Sequence, residues 1–277
     1  QNTSPSKFVE ETLEDWVISI KYTPWDSVVC NLASINIAKV NDDTTIEKVI
    51  PIVMKILDNV IELNYYPMKE SEITAKKYRS VWLWFLWLAE YLAVNKIAYD
   101  TPEAREIVDK MMEKFAYETF KASNDIAIER GKYELFEGSE YSKWIVLWKD
   151  SKWFSENSKT NCDWETLLKN IKKDWLRFAY HIAPAPNTST AWVVGTTAAM
   201  LPIYKKYFVE TNSVAPSVVV APNLNSDNFW YYKEYVNMNM NDVIDMVSVI
   251  YKWVDQSISF EWIINPAKVS PRELYEY

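Results

Sequence analysis

Two places in this chain hold residues of a type and spacing that suit chemistry. The first is Asn187-Thr188-Ser189-Thr190, four consecutive small hydrogen-bonding side chains behind the stiff approach Ala183-Pro184-Ala185-Pro186. The prolines fix the approach, Asn, Thr and Ser are favoured helix N-caps, and a helix running from Ala191 to Leu201 would point free N–H groups back at the loop. That combination is a grip for an oxyanion such as a phosphate. An ordinary capped helix that binds nothing has the same sequence. The second place is Cys30, in Ser27-Val28-Val29-Cys30-Asn31-Leu32-Ala33-Ser34-Ile35-Asn36, a thiol on an apolar strand flanked by amide and hydroxyl side chains. On its own a lone thiol there reads as a buried structural cysteine.

Composition narrows the chemistry further. The 277 residues include 2 cysteines and 1 histidine, so neither a disulfide framework nor a cysteine- or histidine-rich metal site is available. Cys162 lies in a loop sequence without basic neighbours to activate it, and His181 reads as a half-buried strand histidine beside the candidate phosphate loop. A net charge of −8 and a pI near 5.0 argue against a nucleic-acid or anionic-membrane surface. No apolar run reaches the length of a membrane span and no signal-peptide pattern opens the chain, so a cytoplasmic location is expected.

The elements that must position these residues are legible from periodicity. A capping box at Thr44-Thr45-Ile46-Glu47 opens a helix over 44–63 with a bend expected at Pro51. Thr101-Pro102-Glu103 opens a second long helix that ends at Gly131. Further helices are predicted over 164–174, 189–200 and 241–254, and Ser270-Pro271-Arg272-Glu273 begins a last one. Short apolar runs over 28–35, 81–86, 176–182, 217–221 and 257–263 suit buried strands. Alternating buried strands and long helices predict an α/β fold with a parallel sheet or barrel, and nothing divides residues 1–277 internally.

Taken together, Cys30-Asn31-Leu32-Ala33-Ser34-Ile35-Asn36, Tyr65-Tyr66-Pro67-Met68, Arg79-Ser80-Val81, Leu88-Ala89-Glu90-Tyr91, the 182–191 loop and Asp255-Gln256-Ser257 resemble, in order, the large subunit of class I ribonucleotide reductase. The resemblance implies part of a ten-stranded α/β barrel, truncated at both ends, from an enzyme that converts ribonucleoside diphosphates to deoxyribonucleotides by thiyl-radical chemistry. It implies that Cys30 is one of two thiols that become a disulfide as the ribose is reduced, and that Asn187, Thr188, Ser189 and Thr190 hold the substrate diphosphate. The family's Asn-Leu-Cys-x-Glu radical motif, the partner of Cys30, the ATP/dNTP effector region, the tyrosine pair that receives the radical and the C-terminal redox thiols are not in this sequence. Tyr275 and Tyr277 do not match that tyrosine pair. The expected partners are the missing N-terminal part, a small subunit carrying the metal and radical cofactor, and a thioredoxin-like reductant, with no cofactor, nucleic acid or membrane bound by this segment. Alone it is expected to be inactive.

The composition carries one oddity. There are 3 glycines, where average usage gives roughly 19, and 14 tryptophans. The excess falls where glycine is wanted: Trp16, Trp25 and Trp175 stand at turn or helix-end positions, and the resemblance to the family implies glycine at Trp82, Trp84, Trp87, Trp144, Trp148, Trp175 and Trp192, whereas Trp153, Trp164, Trp230, Trp253 and Trp262 suit their surroundings. A gene that uses UGA for glycine, translated with a code that reads it as tryptophan, accounts for this. Two readings from other classes remain open at the level of sequence: a non-catalytic half-barrel acting as an interaction module, and an aromatic platform for a carbohydrate or base built on Trp82 and Trp84.

Overall fold

The computed structural model describes residues 7–14, 17–23, 25–37, 43–147, 160–211, 216–264, 267 and 269–276. Its centre is a parallel pair, β3 (Leu32–Asn36) and β4 (Trp82–Leu86), in register from Leu32 opposite Trp82 to Asn36 opposite Leu86. A third parallel row lies on the other side of β4. The amides of Val81 and Leu83 donate to the carbonyls of Tyr180 and His181 at 3.0 and 2.8 Å, and Leu83 bridges to Ile182. The strand expected over 176–182 is therefore present only as this short contact, since its remaining backbone groups bond elsewhere: the Arg177 amide donates to the carbonyl and hydroxyl of Ser123.

The long helices cover this sheet. On α1 (Asp43–Leu63) the residues Ile46, Ile50, Met54, Leu57 and Ile61 form a buried stripe at helical spacing, and the helix is continuous through Pro51. α1 packs on α4 (Pro102–Arg130), whose start is fixed as its sequence requires. The Ala104 amide donates to Thr101 Oγ1 at 3.2 Å, Pro102 occupies the first turn, and Gly131 closes the helix at φ 84°. Against α4 lie α5 (Trp164–Asp174) and α7 (Met240–Tyr251). One continuous core runs from Ile35 to Val254 and joins all these elements.

Two short helices flank β4: α2 (Lys69–Tyr78) before it and α3 (Leu88–Val94) after it. Neither stands out by periodicity, because α2 is polar for most of its length and α3 is apolar nearly all round. The helix expected over 189–200 is only α6 (Thr188–Val194), stopped by Gly195 in the left-handed conformation at φ 69°. The apolar run over 217–221 is β6 (Pro216–Val220), paired antiparallel with β5 (Tyr207–Thr211) in a hairpin, as β2 (Val17–Thr23) pairs with β1 (Lys7–Glu14). Residues 257–263 form no strand. The last helix, α8 (Pro271–Glu276), opens on the expected capping box, with the Ser270 amide donating to Glu273 Oε2 and the Glu273 amide to Ser270 Oγ. The fold is thus mixed helix and strand, in three two-stranded sheets, with no closed barrel among the described residues. No helix among them is long and apolar enough to cross a membrane.

Candidate functional site

Cys30 sits two residues ahead of β3, which is an edge strand among the described residues. Val28, Cys30 and Leu32, at alternate positions along an extended segment, are all exposed, while Ile35 and Ile37 further along are buried. Asn31 anchors the segment: its carbonyl accepts from the Trp82 amide and its side-chain amide donates to the Leu57 carbonyl at 2.9 Å. The thiol is neither the buried structural cysteine of the bland reading nor an activated thiolate. Atoms packed around the sulfur push its pKa above the ordinary value, and no cation lowers it. Such a thiol stays protonated at neutral pH, which suits donation of hydrogen and electrons better than nucleophilic attack.

The loop expected to hold a phosphate follows the third parallel row. Asn187 adopts a left-handed conformation at φ 52°, and its Nδ2 atom is buried with no hydrogen-bond partner. Thr188, Ser189 and Thr190 are exposed, and their hydroxyls bond to no other residue among the described ones. A strained backbone carrying an unpartnered donor beside three free hydroxyls is an arrangement that an anion would complete. α6 is only seven residues long, so the side chains rather than a long helix's dipole must supply most of the recognition. Trp192 is more than half exposed and lies within this helix, away from the positive-φ positions, so it does not obstruct the loop from inside the core.

Cys30 and the loop lie toward opposite ends of the parallel rows. Cys30 precedes Ala33, which is level with Leu83 and Ile182, and the loop begins five residues beyond Ile182. A substrate reaching both must lie along the sheet.

The loop is tied down on both sides by carboxylates that sequence reading did not single out. Before it, Asp255 accepts from the amides of His181 and Ile182 at 2.9 and 2.8 Å, from His181 Nδ1 at 2.9 Å and from the Tyr141 hydroxyl at 2.7 Å. After it, the buried Glu90 of α3 accepts from Thr196 Oγ1 at 2.7 Å and from Asn223 Nδ2. Both carboxylates lay inside quoted motifs, Leu88-Ala89-Glu90-Tyr91 and Asp255-Gln256-Ser257, but only the fold shows what they hold. His181 is fully buried, not half-buried, with Nε2 2.8 Å from Ser123 Oγ. Ser123, His181 and Asp255 follow one another as in a hydrolytic triad. Ser123 and His181 are both fully closed to solvent, and the serine oxygen also accepts the Arg177 amide, so the chain of bonds is structural.

Across residues 2–277 the chain matches the family model described as ribonucleotide reductase, barrel domain. The chain belongs to the ribonucleotide reductase family. It is 36% identical over 256 residues to the ribonucleoside-diphosphate reductase subunit alpha of Helicobacter pylori, covering 90% of this chain and 32% of that protein. It is 34% identical over 241 residues to the Synechocystis subunit alpha, covering 87% and 31%, and 28% identical over 277 residues to the Bacillus subtilis one, covering 92% and 39%. The chain therefore spans about a third of the length of these reductase subunits. Cys162 takes its place in the fold through its amide, which donates to the buried Glu113 at 2.9 Å.

Proposed function

We propose that this chain is the C-terminal-side part of the catalytic barrel of a class I ribonucleoside-diphosphate reductase large subunit, with residues 1–277 forming one partial-barrel domain. The observation that carries the reading is the family match along residues 2–277, within which the exposed Cys30 and the unsatisfied Asn187–Thr190 loop both fall. Cys30 is one member of the reducing pair, and its partner lies outside these residues. Asn187, Thr188, Ser189 and Thr190 hold the substrate diphosphate through neutral donors, which lets a protein of net charge −8 bind an anion locally.

The net reaction balances on the two thiols. The ribose 2′ C–O bond breaks and the oxygen leaves as water. Cys30 and its partner give up two electrons and two protons and join as a disulfide, and the two hydrogens end on C2′ and in the water. A thiyl radical on a cysteine elsewhere in the subunit opens the reaction at the 3′ position. Among the described residues no group of three or more His, Cys, Asp or Glu side chains stands together in a way that would hold a metal. The metal and radical cofactor then belong to a separate small subunit, the ATP/dNTP effectors to the N-terminal part, and re-reduction to a thioredoxin-like partner in the cytoplasm. This segment alone is inactive.

The test is Cys30→Ser in the complete subunit assayed with its small subunit. Steady turnover falls to background, because an alcohol cannot close the disulfide. Unchanged steady turnover refutes the role of Cys30.

A further inference from the structure

The Asp255-Gln256 pair takes no part in the chemistry above, yet it lies where the phosphate loop leaves the sheet. We propose that Asp255 is a positioning residue that sets the placement of the Asn187–Thr190 loop, an inference that rests on reading the loop as the diphosphate grip. Pro184 and Pro186 have no amide hydrogen, so the approach keeps only two donors, of which the Ala183 amide meets the Leu83 carbonyl at a long 3.4 Å, and it depends on being held from outside. Asp255 does this at its base by taking two consecutive amides, His181 and Ile182, into one buried carboxylate. The same segment reaches along the approach, where the Ser259 amide meets the Pro184 carbonyl at 3.4 Å, and ties back to β4 through Gln256 Nε2 and the Val81 carbonyl at 3.1 Å. Tyr141 and His181 Nδ1 occupy the remaining acceptor sites of Asp255. An ionised carboxylate only accepts, so Nδ1 carries the proton toward Asp255.

Asp255→Asn keeps the shape but turns an amide group toward N–H donors. In the complete subunit with its small subunit, it should raise KM for the ribonucleoside diphosphate about tenfold, the loss of one charge-assisted hydrogen bond, with kcat nearly unchanged. Amides of residues 187–194 should exchange with solvent faster. Tyr141→Phe, which removes one donor and keeps the ring, should move KM in the same direction by a smaller factor, and it decides the matter where Asp255→Asn fails to fold. If KM stays unchanged in a folded Asp255→Asn or Tyr141→Phe variant while Thr188→Ala with Ser189→Ala raises it, the positioning role is overturned and the phosphate loop stands. If the loop variant also leaves KM unchanged, the phosphate reading falls and this inference with it.

Independently, the backbone bears on the tryptophan excess: we infer that positions 87, 144 and 175 are glycine in the protein as its own host makes it. All three glycines of the chain lie at positive φ. Among the nine other described residues there, three are tryptophans: Trp87 at φ 96°, Trp144 at φ 69° and Trp175 at φ 67°. Bulky side chains are outliers in that region, and the Trp175 conformation, with ψ −166°, is essentially reserved for glycine. At Trp87 the side chain agrees with the backbone, whereas the Trp144 and Trp175 rings lie under Lys172 and Lys132, so those two positions rest on backbone conformation. Trp164 and Trp253, which suit their places, donate their indole N–H groups to Glu113 at 3.1 Å and Asp109 at 2.6 Å. The indole nitrogens of Trp87 and of Trp84 are buried without partners. Trp84 and Phe85 are neighbours on a strand, where side chains should alternate, yet both rings pack on Phe115. Trp25, Trp82, Trp84 and Trp192 lie outside the positive-φ set, so the backbone does not assign them, and Trp16 and Trp148 lie outside the described residues.

Peptides spanning positions 87, 144 and 175, isolated from the native host, should each be lighter by the difference between a tryptophan and a glycine residue, and the three codons should be UGA. Tryptophan masses or UGG codons at these positions overturn the inference. In a subunit made with tryptophan there, Trp175→Gly should raise the thermal midpoint by a few degrees and Trp253→Gly should lower it; the opposite pattern overturns the geometric argument.

Discussion

Asp58 is fully buried on α1 and faces three arginines from three other parts of the chain: Arg79 Nη2 at 2.6 Å, Arg177 Nε at 2.8 Å and Arg130 Nη1 at 2.8 Å. Burial alone would raise its carboxyl pKa. The hydrogen bond from Arg177 and the charge and hydrogen bonds of Arg79, followed by Arg130, outweigh that and hold it below the ordinary value. A carboxyl with a lowered folded-state pKa stabilises the fold fully above its unfolded pKa of about 3.9, and that contribution is lost as pH falls through the folded value. Asp58→Asn should cost about 3 kcal/mol at neutral pH, because it removes the buried counter-charge shared by Arg79 and Arg177 and leaves them only the half-exposed Glu62. Thermal midpoints should fall sharply at pH 7, and the difference from the parent should shrink below pH 4. An equal midpoint at pH 7 would contradict this account. No sequence reading finds such a cluster, since residues 58, 79, 130 and 177 meet only when α1, α4 and the segment after α5 are packed. Cys30 was legible as a thiol, but its exposure depends on which edge of β3 stays uncovered.

At the scale of elements, the sequence carries what is amphipathic and capped. α1, α4, α5 and α7 have apolar stripes at helical spacing and clear first turns, and their observed bounds fall close to those expected. α8 keeps its capping box although it is short. Apolar runs were less reliable guides. Residues 81–86 form β4, but 176–182 keep only a bridge because Arg177 and His181 bond to α4 and Asp255, and 257–263 form no strand, with the Ser259 amide meeting the Pro184 carbonyl instead. Hydrophobicity alone does not say whether a buried segment finds a strand partner or a side-chain partner. The loop proposed to hold the phosphate stands out in the sequence by Pro184, Pro186 and its four polar residues. The carboxylates that hold it, Asp255 and Glu90, lie about seventy and a hundred residues away along the chain.

For the molecule as a whole, one core joins β3, β4 and the long helices, while Val28, Cys30 and Leu32 lie open along one edge. The chain spans about a third of the length of related reductase subunits, and the proposal places the partner of the exposed thiol outside these residues. The tryptophan platform considered from sequence loses its basis, because Trp84 is fully buried and packed against Phe85 and Phe115. The central claim is that Cys30 supplies reducing electrons to a ribonucleotide. It is tested most directly by mapping thiols in the complete subunit after turnover on a ribonucleoside diphosphate with its small subunit and no external reductant. The account predicts that Cys30 is recovered in a disulfide, in proportion to the deoxyribonucleotide formed, while Cys162 is recovered as a thiol. Formation of product with Cys30 still a free thiol would contradict it.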